Sequence, residues 1–266
     1  MSVLLETRGL HKRFGAVVAA KDISVAIERD SVVGLIGTNG AGKTTFVNMV
    51  TGYLKPDQGS VRFKGRDVTP LHPRQITRLG VGRSFQIPQL YDSLSAYDNV
   101  VVALGIALRN ARPRWLARGP RLVPGYGLPL EEAAEQVLER FGLAEFRDRP
   151  AGVLPGGVRK LLDIAMTLAL KPELLLLDEP TSGVSSEEKF AIMDRIMRAV
   201  RGSGATVLFV EHDMDIVSRY ASRVLAFYDG RVIADGAPAE VLADPDVQLY
   251  VTGTRTTAEG AGHADD

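Results

Sequence analysis

The clearest chemistry in the sequence lies in the segment GTNGAGKTT, residues 37–45, between an apolar stretch and a helix-like stretch. Its Gly37, Gly42, Lys43 and Thr44 satisfy the spacing G-x-x-x-x-G-K-[ST]. Such a loop turns backbone N–H groups toward phosphates, and the following helix N-terminus adds partial positive charge. The segment predicts a nucleotide phosphate site, with contacts expected from Gly37, Asn39, Gly40, Ala41, Gly42, Lys43, Thr44 and Thr45.

Two carboxylates follow a run of four leucines in the stretch LLLLDEP. A continuous apolar strand of this kind is buried on both faces of a parallel sheet, and its carboxyl end is where such sheets present ligand groups. Asp178 there suits Mg²⁺, together with the Thr44 hydroxyl. Glu179 is either an ordinary surface carboxylate or the group that polarises a water for attack on the γ-phosphate, and we favour the second interpretation.

His212 directly follows another apolar strand, TVLFV. A lone histidine is usually structural, but this one lies at a third carboxyl end, where the imidazole can donate to a γ-phosphate oxygen. The sequence therefore predicts that His212 lies beside Asp178 and Glu179.

The elements that position these residues alternate between strand-like and helix-like patterns. Apolar strands are predicted at 31–37, before Glu179 and before His212, and half-buried antiparallel strands at 21–27 and 59–68. Helices are predicted at 129–141 and 156–170, and a third from Ser185 to about residue 200, opened by a Ser185–Glu188 capping box. Asp229-Gly230 predicts a hairpin. The fold class is α/β, with an antiparallel portion near the N-terminus and a helical portion from about 90 to 165.

Composition limits the remaining possibilities. The 266 residues contain 32 Lys+Arg and 32 Asp+Glu, so net charge gives no argument for nucleic acid, which we do not expect as a partner. Cysteine is absent, which excludes thiol nucleophiles and thiolate metal sites. No apolar run is long enough for a membrane span. Residues 109–121 hold five arginines, which suit a solvated loop or a surface for a partner protein or lipid headgroups.

The order of motifs along the chain resembles the ATP-binding subunits of ABC transporters. After residues 37–45 come Gln86 in VGRSFQ, the stretch LPGGVRK, LLLLDEP, SGVS and finally His212 in VEHD. Within that family the sequence looks most like the ATPases of branched-chain amino acid importers. The resemblance implies a P-loop ATPase with a RecA-like core, an antiparallel β subdomain and a helical subdomain. The domain is expected at 1–253, with core and β subdomain at about 1–90 and 166–253, the helical subdomain at about 91–165, and a disordered tail at 254–266.

The resemblance also implies roles for residues and partners. Phe14 stacks on adenine, unless it is a core residue; Gln86 contacts Mg²⁺ or the attacking water. Two ATPase subunits close head to tail around two ATP molecules, the second being a different chain or another copy of this one. Two membrane permeases bind these subunits at the cytoplasmic face of the inner membrane, and an extracytoplasmic binding protein delivers the solute.

The stretch LPGGVRK departs from the family pattern. It keeps Gly156 and Gly157, expected to meet the ATP of the second subunit, but Pro155 stands where a serine usually donates to that phosphate. Val158, Arg159 and Leu161 also replace the usual polar residues, which puts contacts with the opposite nucleotide in doubt. Ser185 replaces an Asp or Asn, and its simplest role is capping a helix.

Other functions remain as alternatives. The chain could serve a related importer for urea, amides or aromatic acids, or it could be a non-transport ABC protein, although such proteins usually carry two cassettes or a coiled-coil insert. A GTPase or kinase would leave LPGGVRK unexplained, and no NKxD stretch is present. A degenerate regulatory subunit is disfavoured because Lys43, Glu179 and His212 are all present.

Overall fold

The computed structural model of the chain describes residues 2–111 and 122–253. The strands are β1 (Val3–Phe14), β2 (Val17–Glu28), β3 (Val32–Gly37), β4 (Gln58–Phe63), β5 (Arg66–Asp67), β6 (Val81–Ser84), β7 (Leu174–Asp178), β8 (Thr206–Val210), β9 (Arg223–Tyr228) and β10 (Arg231–Gly236). The helices are α1 (Lys43–Val50), α2 (Pro73–Arg78), α3 (Ala96–Ala111), α4 (Leu130–Phe141), α5 (Gly156–Ala169), α6 (Lys189–Arg201), α7 (Met214–Tyr220), α8 (Pro238–Ala243) and α9 (Pro245–Val247).

The central element is a six-stranded sheet of order β10-β9-β3-β8-β7-β6. Its strands are parallel except β10, which pairs antiparallel with β9 through the predicted hairpin. The phosphate loop leaves β3, and the segments that follow β8, β7 and β6 emerge at the same edge. The strand order brings together segments that are far apart in sequence, as predicted for an open α/β sheet.

A second, four-stranded antiparallel sheet has the order β2-β1-β4-β5. The antiparallel portion near the N-terminus is therefore confirmed. The prediction of one strand over 59–68 was wrong, because the chain turns at Lys64 and Gly65 and returns as the short strand β5. Both turn residues have positive φ angles, 54° and 75°, a conformation that glycine adopts without strain.

The helical portion consists of α3, α4 and the apolar helix α5. The predictions at 129–141 and 156–170 are confirmed within one residue at each end. The capping prediction for Ser185 was wrong. Helix α6 begins only at Lys189 without a side-chain cap, and the Ser185 hydroxyl donates to the Glu188 carboxylate over 2.8 Å. Residues 185–188 instead form turns, which shifts the helix start by one turn.

Two apolar cores lie on opposite sides of the six-stranded sheet. One joins the sheet to α3–α6, and the other packs α1 between the two sheets through Phe46, Val47, Met49 and Val50. Because α1 is held from both sides, the loop that precedes it is fixed to the sheet edge. No described helix is long and apolar enough to cross a bilayer. The predicted tail at 254–266, and the part of the arginine-rich segment at 112–121, lie outside the described residues.

Candidate active site at the edge of the sheet

The phosphate loop has a backbone that only glycine accommodates at two of its positions. Gly37 has φ 149°, and a Cβ there would lie 2.5 Å from the carbonyl oxygen of Phe227. Gly42 has φ 106°, and a Cβ there would lie 2.7 Å from the carbonyl oxygen of Ala19. The loop is therefore pressed against β9 and β2, and its shape depends on both contacts.

Lys43 begins α1 and folds back over the loop. Its Nζ donates to the carbonyl oxygens of Gly37, at 2.5 Å, and of Thr38, at 3.1 Å. Burial lowers the pKa of the Lys43 ammonium, whereas the nearby carboxylates of Glu179 and Asp178 act to raise it. The side chain is 6% exposed, so the ammonium is already placed inside the loop, where it can exchange carbonyl oxygens for phosphate oxygens.

Glu179 lies between the two other predicted catalytic side chains. Its Oε2 accepts a 2.8 Å hydrogen bond from Gln86 Nε2, and its Oε1 is 3.1 Å from His212 Nε2. These residues come from the ends of β7, β6 and β8. The structure thus brings together Gln86, Glu179 and His212 around one carboxylate, an arrangement suited to holding a water and its proton acceptor.

The backbone at Glu179 is strained. Its φ is 48°, in the left-handed region that non-glycine residues rarely adopt. The amide of Glu179 donates to the carbonyl of Val210 on the neighbouring strand over 3.0 Å, which holds this conformation. Strain of this kind persists where the surrounding structure fixes it, and it is concentrated at functional sites.

Asp178 is bound to a residue that the sequence did not single out. Arg83 on β6 donates from Nη2 to Asp178 Oδ2 over 2.8 Å and from Nη1 to Asn48 Oδ1 on α1 over 2.7 Å. Its guanidinium also lies 4.9 Å from the Phe85 ring centroid and 5.6 Å from that of Tyr53. Arg83 therefore links Asp178 to the helix that follows the phosphate loop. Its position on the strand leading to Gln86 was the available sequence signal.

Glu211 is a second residue that sequence reasoning missed. Only 4% exposed, it accepts hydrogen bonds from the Thr181 amide, at 3.0 Å, and the Thr181 hydroxyl, at 2.7 Å. Burial raises the pKa of the Glu211 carboxyl, against the opposing effect of these bonds. Glu211, which directly precedes His212, is therefore joined by hydrogen bonds to Thr181 in the segment that follows Glu179. A charged residue directly after an apolar strand was its only signal.

The stretch LPGGVRK contains the start of α5, and its Pro155 and Gly156 are exposed. Pro155 occupies the N-cap position. Gly156 is exposed, and the nearest atom to a Cβ added there would be the carbonyl oxygen of Gly183, at 3.9 Å. Gly157 is tighter, because a Cβ there would lie 2.9 Å from Ile192 Cδ1. Both residues stand in the first turn of the helix, where amide groups are available to an anion.

The residues here that depart from the family pattern make contacts within this chain. Arg159 donates to the carbonyl of Ala151 over 2.6 Å and to the carboxylate of Asp92 over 2.7 Å. Leu161 is 2% exposed, and both it and Val158 pack in the helical core. These side chains stabilise the helical portion, so they do not replace the polar contacts that the family pattern would supply.

Phe14 ends β1 and is 51% exposed, so the alternative that it is a core phenylalanine is wrong. Lys12 Nζ lies 5.8 Å from its ring centroid. The partner strand β2 pairs Val17 with Phe14 and carries Ala19, whose carbonyl faces Gly42. An exposed aromatic face thus lies on the sheet that contacts the phosphate loop, as stacking on a base requires.

The donor set at this edge fits Mg²⁺. Thr44 is exposed in the first turn of α1, and Asp178 and Gln86 supply a carboxylate and an amide at adjacent strand ends. These are hard oxygen ligands, and magnesium is usually held by one or two carboxylates together with substrate phosphates. No group of three or more His, Cys, Asp or Glu able to hold a metal occurs within residues 2–111 and 122–253.

Comparison with known proteins places this chain in a family. The chain matches the ABC transporter family over residues 20–182. A probable branched-chain amino acid transport ATP-binding protein LivG of Archaeoglobus fulgidus is 34% identical, covering 93% of this chain and 95% of the relative. Two relatives are named as high-affinity branched-chain amino acid transport ATP-binding proteins: LivG of Salmonella typhimurium and BraF of Pseudomonas aeruginosa. Each is 35% identical to this chain, over 92% of this chain and 95% of the relative's own length.

Solved structures of ATP-binding cassettes resemble this chain in fold. The ADP conformation of an ATP-binding cassette of an ABC transporter has a TM-score of 0.78 and 30% identity, covering 94% of this chain and 98% of that one. A nucleotide-free ATP-binding cassette has a TM-score of 0.76 and 30% identity, covering 92% and 97%. The phosphate loop, the strand-end carboxylates and these similarities together show that the chain belongs to the ABC transporter family of ATP-binding proteins.

Proposed function

We propose that this chain is the ATP-hydrolysing subunit of an importer for branched-chain or other hydrophobic amino acids. The observation that carries the ATPase part is the contact of Glu179 with both Gln86 and His212 beside the phosphate loop. The solute class is supported by the names of its relatives, which are branched-chain amino acid transport proteins.

Each residue at the edge of the sheet has a proposed step in hydrolysis. Phe14 stacks on adenine, the amides of residues 37–45 bind the phosphates, and Lys43 neutralises charge between the β- and γ-phosphates. Glu179 accepts the proton of the attacking water, and His212 donates to a γ-phosphate oxygen. Thr44, Asp178 and Gln86 would hold Mg²⁺, which would supply charge stabilisation at the phosphates.

A second ATPase subunit completes the proposed assembly. The exposed first turn of α5, with Gly156 and Gly157, faces the γ-phosphate bound by that subunit, and this chain's own phosphate is met by the partner's equivalent turn. Pro155 has no N–H and no hydroxyl, so the partner's site lacks one hydrogen bond, a loss of about 1.5–3 kcal/mol for a charged acceptor. The two sites are therefore unequal if the partner is a different chain that carries the usual serine at this position.

The remaining partners follow from the same proposal. The domain spans 1–253, and its helical portion, at about 91–165, faces two membrane permeases at the cytoplasmic face of the membrane. An extracytoplasmic binding protein selects the solute.

The test is reconstitution of this chain in vesicles with a second ATPase subunit, two permeases and a solute-binding protein from the same organism. We expect ATP-dependent uptake of leucine, isoleucine or valine by vesicles, and tight binding of the same amino acid by the isolated binding protein. Uptake of urea or short amides instead would correct the solute class alone. Failure of the purified chain to bind ATP would overturn the proposed function.

A further inference from the structure

Lys160 is a buried charged residue within the apolar helix α5, one turn after Gly156. It is 2% exposed. Its Nζ donates to the carbonyl oxygens of Phe85 and Gln86, each at 2.8 Å, and to that of Asp178, at 3.3 Å. All three acceptors are backbone atoms at the ends of β6 and β7. One ammonium thus joins the helix that begins at LPGGVRK to the segments that carry Gln86 and Glu179.

Asp163 makes a second attachment from the same helix, three residues later. It is 5% exposed, and its Oδ1 accepts a 3.0 Å hydrogen bond from the amide of Gln89. The segment 85–89 has irregular structure, so few bonds of its own hold it. Lys160 therefore fixes the start of this segment to α5, and Asp163 fixes its end.

We propose that Lys160 is a positioning residue that makes the first turn of α5 and the segment 85–89 move together. A helix turn is stiff, so a phosphate that draws in Gly156 and Gly157 also displaces Lys160. The carbonyls of Phe85, Gln86 and Asp178 follow, and the Gln86–Glu179 contact changes with them. In this way, closure of the dimer around the second subunit's ATP changes the contacts of Glu179 in this chain.

This inference rests on the proposed function, and it adds a path between the two ATP sites. A purely structural role for Lys160 would make a different prediction, because loss of a structural residue destabilises the fold as a whole. A positioning role predicts a local effect on segment 85–89 and on turnover. Nucleotide binding by the phosphate loop should change little, because the Lys160 contacts involve backbone carbonyls outside residues 37–45.

The experiment compares Lys160→Met with Lys55→Met in the full-length chain. Lys55 is a matched control because its ammonium also donates to two backbone carbonyls, those of Thr69 and Leu71, away from Glu179. We expect Lys160→Met to lower kcat about tenfold with KM for ATP within about twofold. Amide hydrogen exchange at Gln89 should accelerate about tenfold while that of β7 and β8 stays unchanged. Lys55→Met should change neither quantity.

A second pair of variants guards against misfolding of Lys160→Met. Asp163→Ala removes the acceptor for the Gln89 amide, whereas Asp163→Asn keeps an oxygen there. We expect Asp163→Ala to reproduce the local exchange and the drop in kcat, and Asp163→Asn to retain most of both wild-type values. Unchanged kcat in Lys160→Met and Asp163→Ala, or faster exchange throughout the chain, overturns the positioning role. If the wild-type chain itself fails to bind ATP, the proposed function fails as well.

Discussion

Replacing Glu179 by glutamine is the sharpest test of the proposed chemistry, because the local geometry tolerates it. Gln86 Nε2 must still find an acceptor, and the side-chain oxygen of glutamine can occupy the position of Glu179 Oε2. The new amide then faces His212 Nε2, which accepts a hydrogen bond when the imidazole proton is on Nδ1. The variant thus keeps both contacts and loses only the charge.

The magnitudes for stability and turnover should therefore separate. With both hydrogen bonds retained and the side chain 21% exposed, the free energy of unfolding should change by no more than about 1 kcal/mol. Loss of a general base lowers turnover by about 10²- to 10⁴-fold, equivalent to about 2.7–5.4 kcal/mol in activation free energy. ATP affinity should be unchanged or higher, because the substitution removes a negative charge beside the proposed γ-phosphate position.

The assay measures phosphate release, equilibrium ATP binding and urea unfolding on the same preparations. Glu188→Gln is the matched control, since that exposed carboxylate accepts only from the Ser185 hydroxyl among the hydrogen bonds described, and its turnover should equal wild type. Normal turnover in Glu179→Gln, with ATP binding intact, would refute the assignment of the base. A large loss of stability would refute the account of how glutamine is accommodated.

Three further predictions follow from the same contacts. Arg83→Met should lower the free energy of unfolding by up to about 3–5 kcal/mol in urea titrations, because it leaves the Asp178 carboxylate, which is 14% exposed, without its cation; a change below about 1 kcal/mol contradicts this. Gly156→Asp should abolish ATP-driven dimerisation by light scattering without unfolding the chain, since a Cβ fits there; intact dimers would exclude the phosphate contact. Glu211→Gln concerns pH: burial raises the Glu211 pKa, so the folded state holds its proton more tightly, and wild-type stability falls as pH rises above the unfolded value of 4.5. The glutamine variant should lack that fall, and a constant difference from about pH 4 to about pH 8 would contradict it.

The sequence by itself determined the features that depend on neighbouring residues. The phosphate loop was readable because its glycines, lysine and threonine act within one turn of chain. The buried strands before Glu179 and His212 were readable because an apolar run needs cover on both faces. The Asp229-Gly230 hairpin was readable because an Asp-Gly pair favours a tight two-residue turn. These elements also indicated that the carboxyl ends of the strands would meet at one edge.

Tertiary structure alone decided which residues connect those elements. Arg83, Lys160 and Glu211 are charged residues whose partners lie 95, 75 and 30 positions away, and no short-range pattern encodes such contacts. The start of α6 and the turn at Lys64 were also misjudged. Ser185 donates to the Glu188 side chain instead of capping the helix, and the turn at Lys64 interrupts the alternation of side chains. Local preferences amount to less than about 1 kcal/mol per residue, whereas removing one partner of a buried charged pair costs about 3–5 kcal/mol.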